Sequence, residues 1–201
     1  TATTSFAITV PAVNDAPEVS HTNGALTIEE DAIPANAITF GKISVSDVDA
    51  VAATAPVTVP LDANHGNITL LSVPGGLTVT NNGTDTVTIT GGTLDTINAY
   101  LGGAAIIQYL PDDANYSGSE RVRVTVNDQG NNGQDPSDFL PGFNGQGVVD
   151  TANATSEEGS VDIPITITPV NAAPSITSPA KVDGFEDQHF TFTGGNKIRL
   201  T

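Results

Sequence analysis

The chain has 201 residues, six Lys+Arg against 23 Asp+Glu, a formal charge of −17 and no Cys, Met or Trp. Disulfides, thiolate metal sites and cysteine nucleophiles are therefore excluded. Nucleic acid and anionic lipid are poor partners because the Lys and Arg that neutralise phosphate are missing, and without an apolar run of about 18 residues no membrane insertion is expected.

Apolar residues make up 38% and aromatics only 5%, so a core would be built from Val, Ile and Leu. The 27 Thr and 20 Gly favour strands and turns over helices. In chain order, alternating segments predict strands over 18 to 29, 38 to 46, 66 to 71, 77 to 80 and 86 to 90, with a bulge where Gly41-Lys42 shifts the register. One helix is predicted next, capped by Thr93 and carrying Leu94, Ile97 and Leu101 on one face. Further strands follow over 105 to 110, 120 to 127 and 160 to 168. In the clearest of these Val122, Val124 and Val126 point inward, and Arg121, Arg123 and Thr125 face water. Strand number and turn spacing predict an all-β fold, a Greek-key β-sandwich with one short helix. The alternating threonines of 78 to 90 suit an ordinary half-exposed strand better than a binding face.

One repeat organises the chain. Phe6 to Pro17, ending Val13-Asn14-Asp15-Ala16-Pro17, returns as Ile163 to Pro174, ending Val170-Asn171-Ala172-Ala173-Pro174. Residues 1–14 accordingly read as the last strand and linker of a preceding module, 15–171 as a complete module, and 172–201 as the start of a following one. A native polypeptide longer at both ends is expected. Proline flanks both junctions and stiffens them in extended form.

If successive strands alternate in direction, the acidic turns sort to the two ends. Asn14, Asp15, Asp47, Asp49 and Asp128 converge on the upper junction. Glu29, Glu30, Asp31, Asp112, Asp113 and Asn171 converge on the lower one. Hard oxygen donors at this density suit Ca²⁺, which takes roughly six to eight of them. Zinc is disfavoured, since His21, His65 and His189 are scattered. Any single Asp-x-Asp or Asn-Asp pair also suits a turn former; the convergence favours an ion.

The Val13–Pro17 linker, Glu29-Glu30-Asp31, Ser46-Asp47-Val48-Asp49-Ala50, Tyr109 to Gly118 and Val126-Asn127-Asp128 together resemble cadherin-like repeats of large bacterial RTX-type adhesins. That resemblance implies a Ca²⁺-rigidified extender module, exported by type I secretion to the bacterial surface. There it would hold distal binding domains away from the cell in adhesion or biofilm formation. It further implies that the linker Asn/Asp, the Asp-x-Asp pair, the lower Glu and the Asp after the penultimate strand are ligands. The second linker departs from this pattern, with Asn171-Ala172 where the first has Asn14-Asp15. The implied partners are neighbouring modules of the same polypeptide, with the chain otherwise a monomer. The long 130–159 segment offers an alternative, recognition of a glycan or peptide. No catalytic constellation is present, and no enzymatic activity is expected.

Overall fold

The computed structural model describes residues 3–8, 14–50, 54, 56–130, 157–171, 173–181, 183–184, 186–187, 189, 191 and 198–200. The chain divides into two compact units, Thr1–Pro169 and Val170–Thr201. The first carries strands β1 (Glu18–His21), β2 (Leu26–Glu29), β3 (Ile38–Phe40), β4 (Ile43–Ser46), β5 (Pro56–Asp62), β6 (Asn67–Leu70), β7 (Thr78–Thr80) and β8 (Thr86–Thr93). Helix α1 (Leu94–Leu101), β9 (Ile107–Leu110), β10 (Gly118–Asn127) and β11 (Glu158–Thr168) follow. In the second unit β12 (Ile176–Thr177) pairs antiparallel with β13 (Arg199–Leu200). Among the described residues no helix is long and apolar enough to cross a membrane.

One layer of the sandwich is a six-stranded sheet in the order β2-β11-β10-β5-β8-β7, antiparallel except for the parallel pair β2/β11. Opposite it lie the three-stranded sheet β3-β9-β6 and the pair β1-β4. The core of the first unit draws Val59, Leu61, Val87, Ile89, Val122, Val124, Val126, Ile163 and Ile165 from the first layer. Phe40, Ile43, Val45, Ile68, Ile107 and Tyr109 come from the second. In β10 the three valines are fully buried and Arg121, Arg123 and Thr125 are only partly so, the alternation expected of a strand with one face inward.

Two expected strands are broken in two. The segment from 18 to 29 runs beside β4 as β1, then crosses to the other layer as β2 beside β11. The segment from 38 to 46 breaks at Gly41-Lys42, where Lys42 adopts φ of 53°. A Cβ on Gly41 would lie 1.9 Å from the Gly103 carbonyl oxygen, so only glycine fits the break. Strand β5 is absent from the sequence expectation because Pro56 and Pro60 interrupt its Val57, Val59, Leu61 alternation. It is nonetheless central. Its pairing with β10 uses Thr58, Leu61 and Asp62 and skips Val59 and Pro60, which tolerates the missing proline N–H. Residues 3–8 form no strand, whereas their repeat counterparts, residues 160–165, lie within β11 and pair with β10.

Helix α1 starts where expected. The Thr93 Oγ1 accepts from the Thr96 N–H at 3.4 Å, and the Thr93 N–H donates back to Thr96 Oγ1 at 2.8 Å, a reciprocal cap built from two threonines. Its buried face is Leu94, Ile97, Tyr100 and Leu101. Burial pushes the Tyr100 hydroxyl up to about 12. From the same helix the Asn98 side chain accepts from the Val45 N–H and donates to the Val45 carbonyl, both at 2.8 Å, closing the free edge of β4.

On the outer face of the six-stranded sheet Arg123 forms two bonds to Asp162, at 2.7 and 3.0 Å, and Arg121 bonds Asp62 at 3.1 Å. The Arg123 hydrogen bond holds the Asp162 carboxyl below its ordinary range. The stability this pair adds is present above the unfolded carboxyl pKa and is lost as pH falls through the folded one. Both groups are well exposed, so it is small.

Replacing Asn98 by Ala removes both bonds to Val45 and leaves its part-buried backbone groups without these partners. The expected loss is about 1–3 kcal/mol in denaturant-induced unfolding, with the slope against denaturant unchanged.

Candidate metal centre

At the upper end of the sandwich the register places Glu18 opposite Ser46 and Asn127 opposite Glu158, so β1 and β11 begin where β4 and β10 end. The chain enters this end over Pro17, whose carbonyl oxygen would lie 1.7 Å from a Cβ on Gly159. Glycine at the second residue of β11 thus lets the incoming linker lie directly on the strand.

The linker is tied down by two consecutive residues. Asn14, fully buried, donates from Nδ2 to Asp128 Oδ2 at 2.6 Å. The next N–H, that of Asp15, donates to Asp49 Oδ2 at 2.7 Å. Asp128 is itself fully buried, and its Oδ1 accepts from the Gly130 N–H at 2.9 Å and the Glu157 N–H at 2.8 Å. Its own N–H donates to the Glu157 carbonyl at 3.2 Å. One carboxylate therefore joins the linker, the end of β10 and the approach to β11.

The Asp-x-Asp turn is held from within. Asp47 Oδ1 accepts from the Asp49 N–H at 2.9 Å and the Ala50 N–H at 3.1 Å, leaving Val48 at the tip 84% exposed. That half of the carboxylate behaves as a turn former. Its other oxygen, Oδ2, is buried and accepts no hydrogen bond. A buried carboxylate oxygen without a donor is costly, and a cation is the usual remedy.

Asp47 borders a cleft of about 450 Å³ lined also by Asp15, Ala16, Glu18, Ser46 and Val48. Glu18 was missed from sequence, since nothing in Pro17-Glu18-Val19 marks it until pairing with β4 sets it beside Ser46. The structure thus brings Asn14, Asp15, Asp47, Asp49 and Asp128 to one end. Among the described residues, however, no three His, Asp or Glu side chains stand close enough together to hold a metal ion. The oxygen donors suit a hard cation in kind, with the carboxylates spread across the cleft and along the linker.

At the opposite end Thr168 pairs with Glu29, the Glu30 N–H donates to the Thr168 carbonyl at 3.0 Å, and Gly118 pairs with Ile167. Glu29 borders a polar cleft of about 360 Å³ with Thr27, Ala32, Asn36 and Thr168. Glu29 and Asp31 are exposed and Glu30 is partly buried. Asp112 and Asp113, both exposed, lie in the turn that leads into β10, at this same end. Asp113 acts there as a turn former, its Oδ1 accepting from the Asn115 N–H at 2.9 Å. Asn171 is exposed and belongs to the second unit. Most of the 130–159 segment, residues 131–156, lies outside the described residues.

A second buried carboxylate escaped the sequence reading. Glu120 Oε2 accepts from the His65 N–H at 2.5 Å and Oε1 from the Arg121 N–H at 2.6 Å. The Tyr109 hydroxyl donates to the His65 carbonyl at 2.6 Å, and the His65 ring stacks on Tyr116 with centroids 3.6 Å apart. Burial, then the nearby Glu120 and Asp112 charges, push the Tyr109 hydroxyl pKa up. These contacts fasten the β5–β6 turn rather than form a cation site, because both Glu120 oxygens already accept from backbone donors.

Asp128→Ala would strip the Asn14 amide and the Gly130 and Glu157 N–H groups of their acceptor. A loss of about 3 kcal/mol or more is expected in unfolding measurements, with faster amide exchange at Gly130 and Glu157. Asp113→Ala, at an exposed turn, should cost under about 1 kcal/mol.

Comparison of the chain with protein-family models, curated proteins and solved structures finds no match.

Proposed function

We propose that the chain contains a β-sandwich extender module of a long extracellular bacterial surface protein, whose end-to-end junctions are stiffened by Ca²⁺. The observation that carries this reading is the linker itself. Asn14 and Asp15 are adjacent in the chain, and one bonds Asp128 while the other bonds Asp49. The entry path of the linker is therefore set by carboxylates of the module body. The donor-free Asp47 Oδ2 beside it supports a cation at the same place.

In this reading the residues of the junction do three things. Asn14 and Asp128 orient the linker, Asp47 and Asp49 present carboxylates beside it, and the flanking Pro11 and Pro17 limit its bending. A bound Ca²⁺ supplies the positive charge that offsets repulsion among the acids and links neighbouring modules through shared oxygens. Extracellular calcium sites of this kind bind with Kd of about 10⁻⁴–10⁻³ M. The junction would thus fill outside a cell and stay empty inside it, which suits export before folding. The repeat of the Asn-containing linker at Asn171 supports a series of such junctions, with Ala172 removing one carboxylate from the second.

Calcium at about a hundred times Kd should add about 2.7 kcal/mol per site to folded stability. Scanning calorimetry of the chain with calcium and with chelator is expected to show a melting temperature several degrees higher in calcium. Identical melting in both would overturn the proposal. In a polypeptide of several modules, small-angle scattering should show a radius of gyration that falls on chelation, because a stiff rod is the most extended arrangement of its modules. The double variant D47A/D49A should abolish that response while leaving circular dichroism of the sandwich unchanged.

A further inference from the structure

The kink between β1 and β2 and the turn between β7 and β8 each carry an Asn-Gly pair, Asn23-Gly24 and Asn82-Gly83. In such a pair the glycine nitrogen can attack the asparagine Cγ. The new C–N bond closes a succinimide, ammonia leaves, and water then opens the ring to aspartate or isoaspartate. Glycine permits this because no Cβ hinders the approach. Whether it proceeds depends on what the fold has already done with the glycine N–H and the side-chain amide.

The two pairs are held differently. At Asn82-Gly83 the glycine N–H donates to the Ile68 carbonyl at 2.8 Å, so the attacking nitrogen is engaged. The Asn82 side chain is also held at both ends, Oδ1 accepting from the Leu70 N–H at 2.7 Å and Nδ2 donating to the Leu70 carbonyl at 3.1 Å. At Asn23-Gly24 the glycine is exposed, nothing stands within 4 Å of where its Cβ would be, and its N–H has no hydrogen-bond partner among the described residues. Asn23 Nδ2 donates to the Gly41 carbonyl at 2.6 Å, but Oδ1 meets the Gly41 N–H only at 3.5 Å, the limit of a hydrogen bond.

We propose that Asn23 is a site of spontaneous deamidation, with the free Gly24 nitrogen as nucleophile, and that Asn82 is protected by the Gly83–Ile68 bond. The product has a local consequence. Aspartate at position 23 replaces the donor that holds the Gly41 carbonyl with an acceptor, so the tie between the β1–β2 kink and the β3–β4 break becomes a repulsion. Isoaspartate also adds a backbone atom to the crossing segment. The modification therefore loosens the place where the chain changes layers.

The test is incubation of the whole chain at mildly alkaline pH and 37 °C, followed by proteolysis, mass spectrometry and isoaspartate assay of the peptides that carry these two of the chain's four Asn-Gly pairs. Conversion at Asn23 is expected to run several-fold faster than at Asn82. Equal rates, faster conversion at Asn82, or an unchanged Asn23 would overturn the proposal. Gly24→Ala should suppress conversion at Asn23 and leave Asn82 as it was; undiminished conversion in that variant would overturn the assigned nucleophile. Asn23→Asp should melt below the parent chain, and equal melting would overturn the structural consequence.

Discussion

The upper end of the sandwich depends on one buried carboxylate. Asp128 is shielded from water and its charge is met by three N–H donors from three parts of the chain, Asn14, Gly130 and Glu157. Burying an ion is costly unless such donors surround it. The arrangement is therefore cooperative, since the linker, the end of β10 and the approach to β11 must all be in place before the charge is satisfied. It also fixes Gly130 and Glu157 beside each other, because both N–H groups meet the same oxygen.

Two kinds of acid coexist in this chain. Some are absorbed by the protein's own donors: Glu120 by two backbone N–H groups, Asp162 by Arg123, Asp113 by the Asn115 turn. Asp47 is divided, one oxygen used by its own turn and the other buried without a donor. That division separates an acid that shapes a loop from one that also calls for an outside charge. It is why the Asp47 end of the sandwich supports the proposed cation more strongly than the Glu29 end.

Asparagine has a recurring structural use here. Asn98 on Val45 in β4, Asn82 on Leu70 in β6 and Asn23 on Gly41 at the β3–β4 break each offer an amide that accepts from and donates to the backbone of one residue. An amide side chain carries both groups in the spacing of a neighbouring strand, so it can close a sheet edge without adding one. The long contact at Asn23 is the weakest of the three, and it lies at the crossing from one layer to the other.

Local pattern was enough to identify the all-β class, the β10 alternation and the capped helix, because each follows from periodicity or capping within a few residues; at Gly41-Lys42 it marked an irregularity, expected as a bulge, where the structure has two strands in different sheets. The gathering of the linker, the Asp-x-Asp turn and Asp128 at one end also followed from strand direction alone. Strand β5 was hidden by its prolines, which only an irregular pairing with β10 accommodates. Nor could one-dimensional alternation reveal that the segment from 18 to 29 changes layers, since both halves bury alternate residues against the same core. Burial of Asp128, the orphaned oxygen of Asp47, and the nearness of Glu18 depend on distant segments meeting. Those were decided by tertiary structure, because desolvation and hydrogen-bond supply belong to the folded neighbourhood of a side chain and not to its place in the sequence.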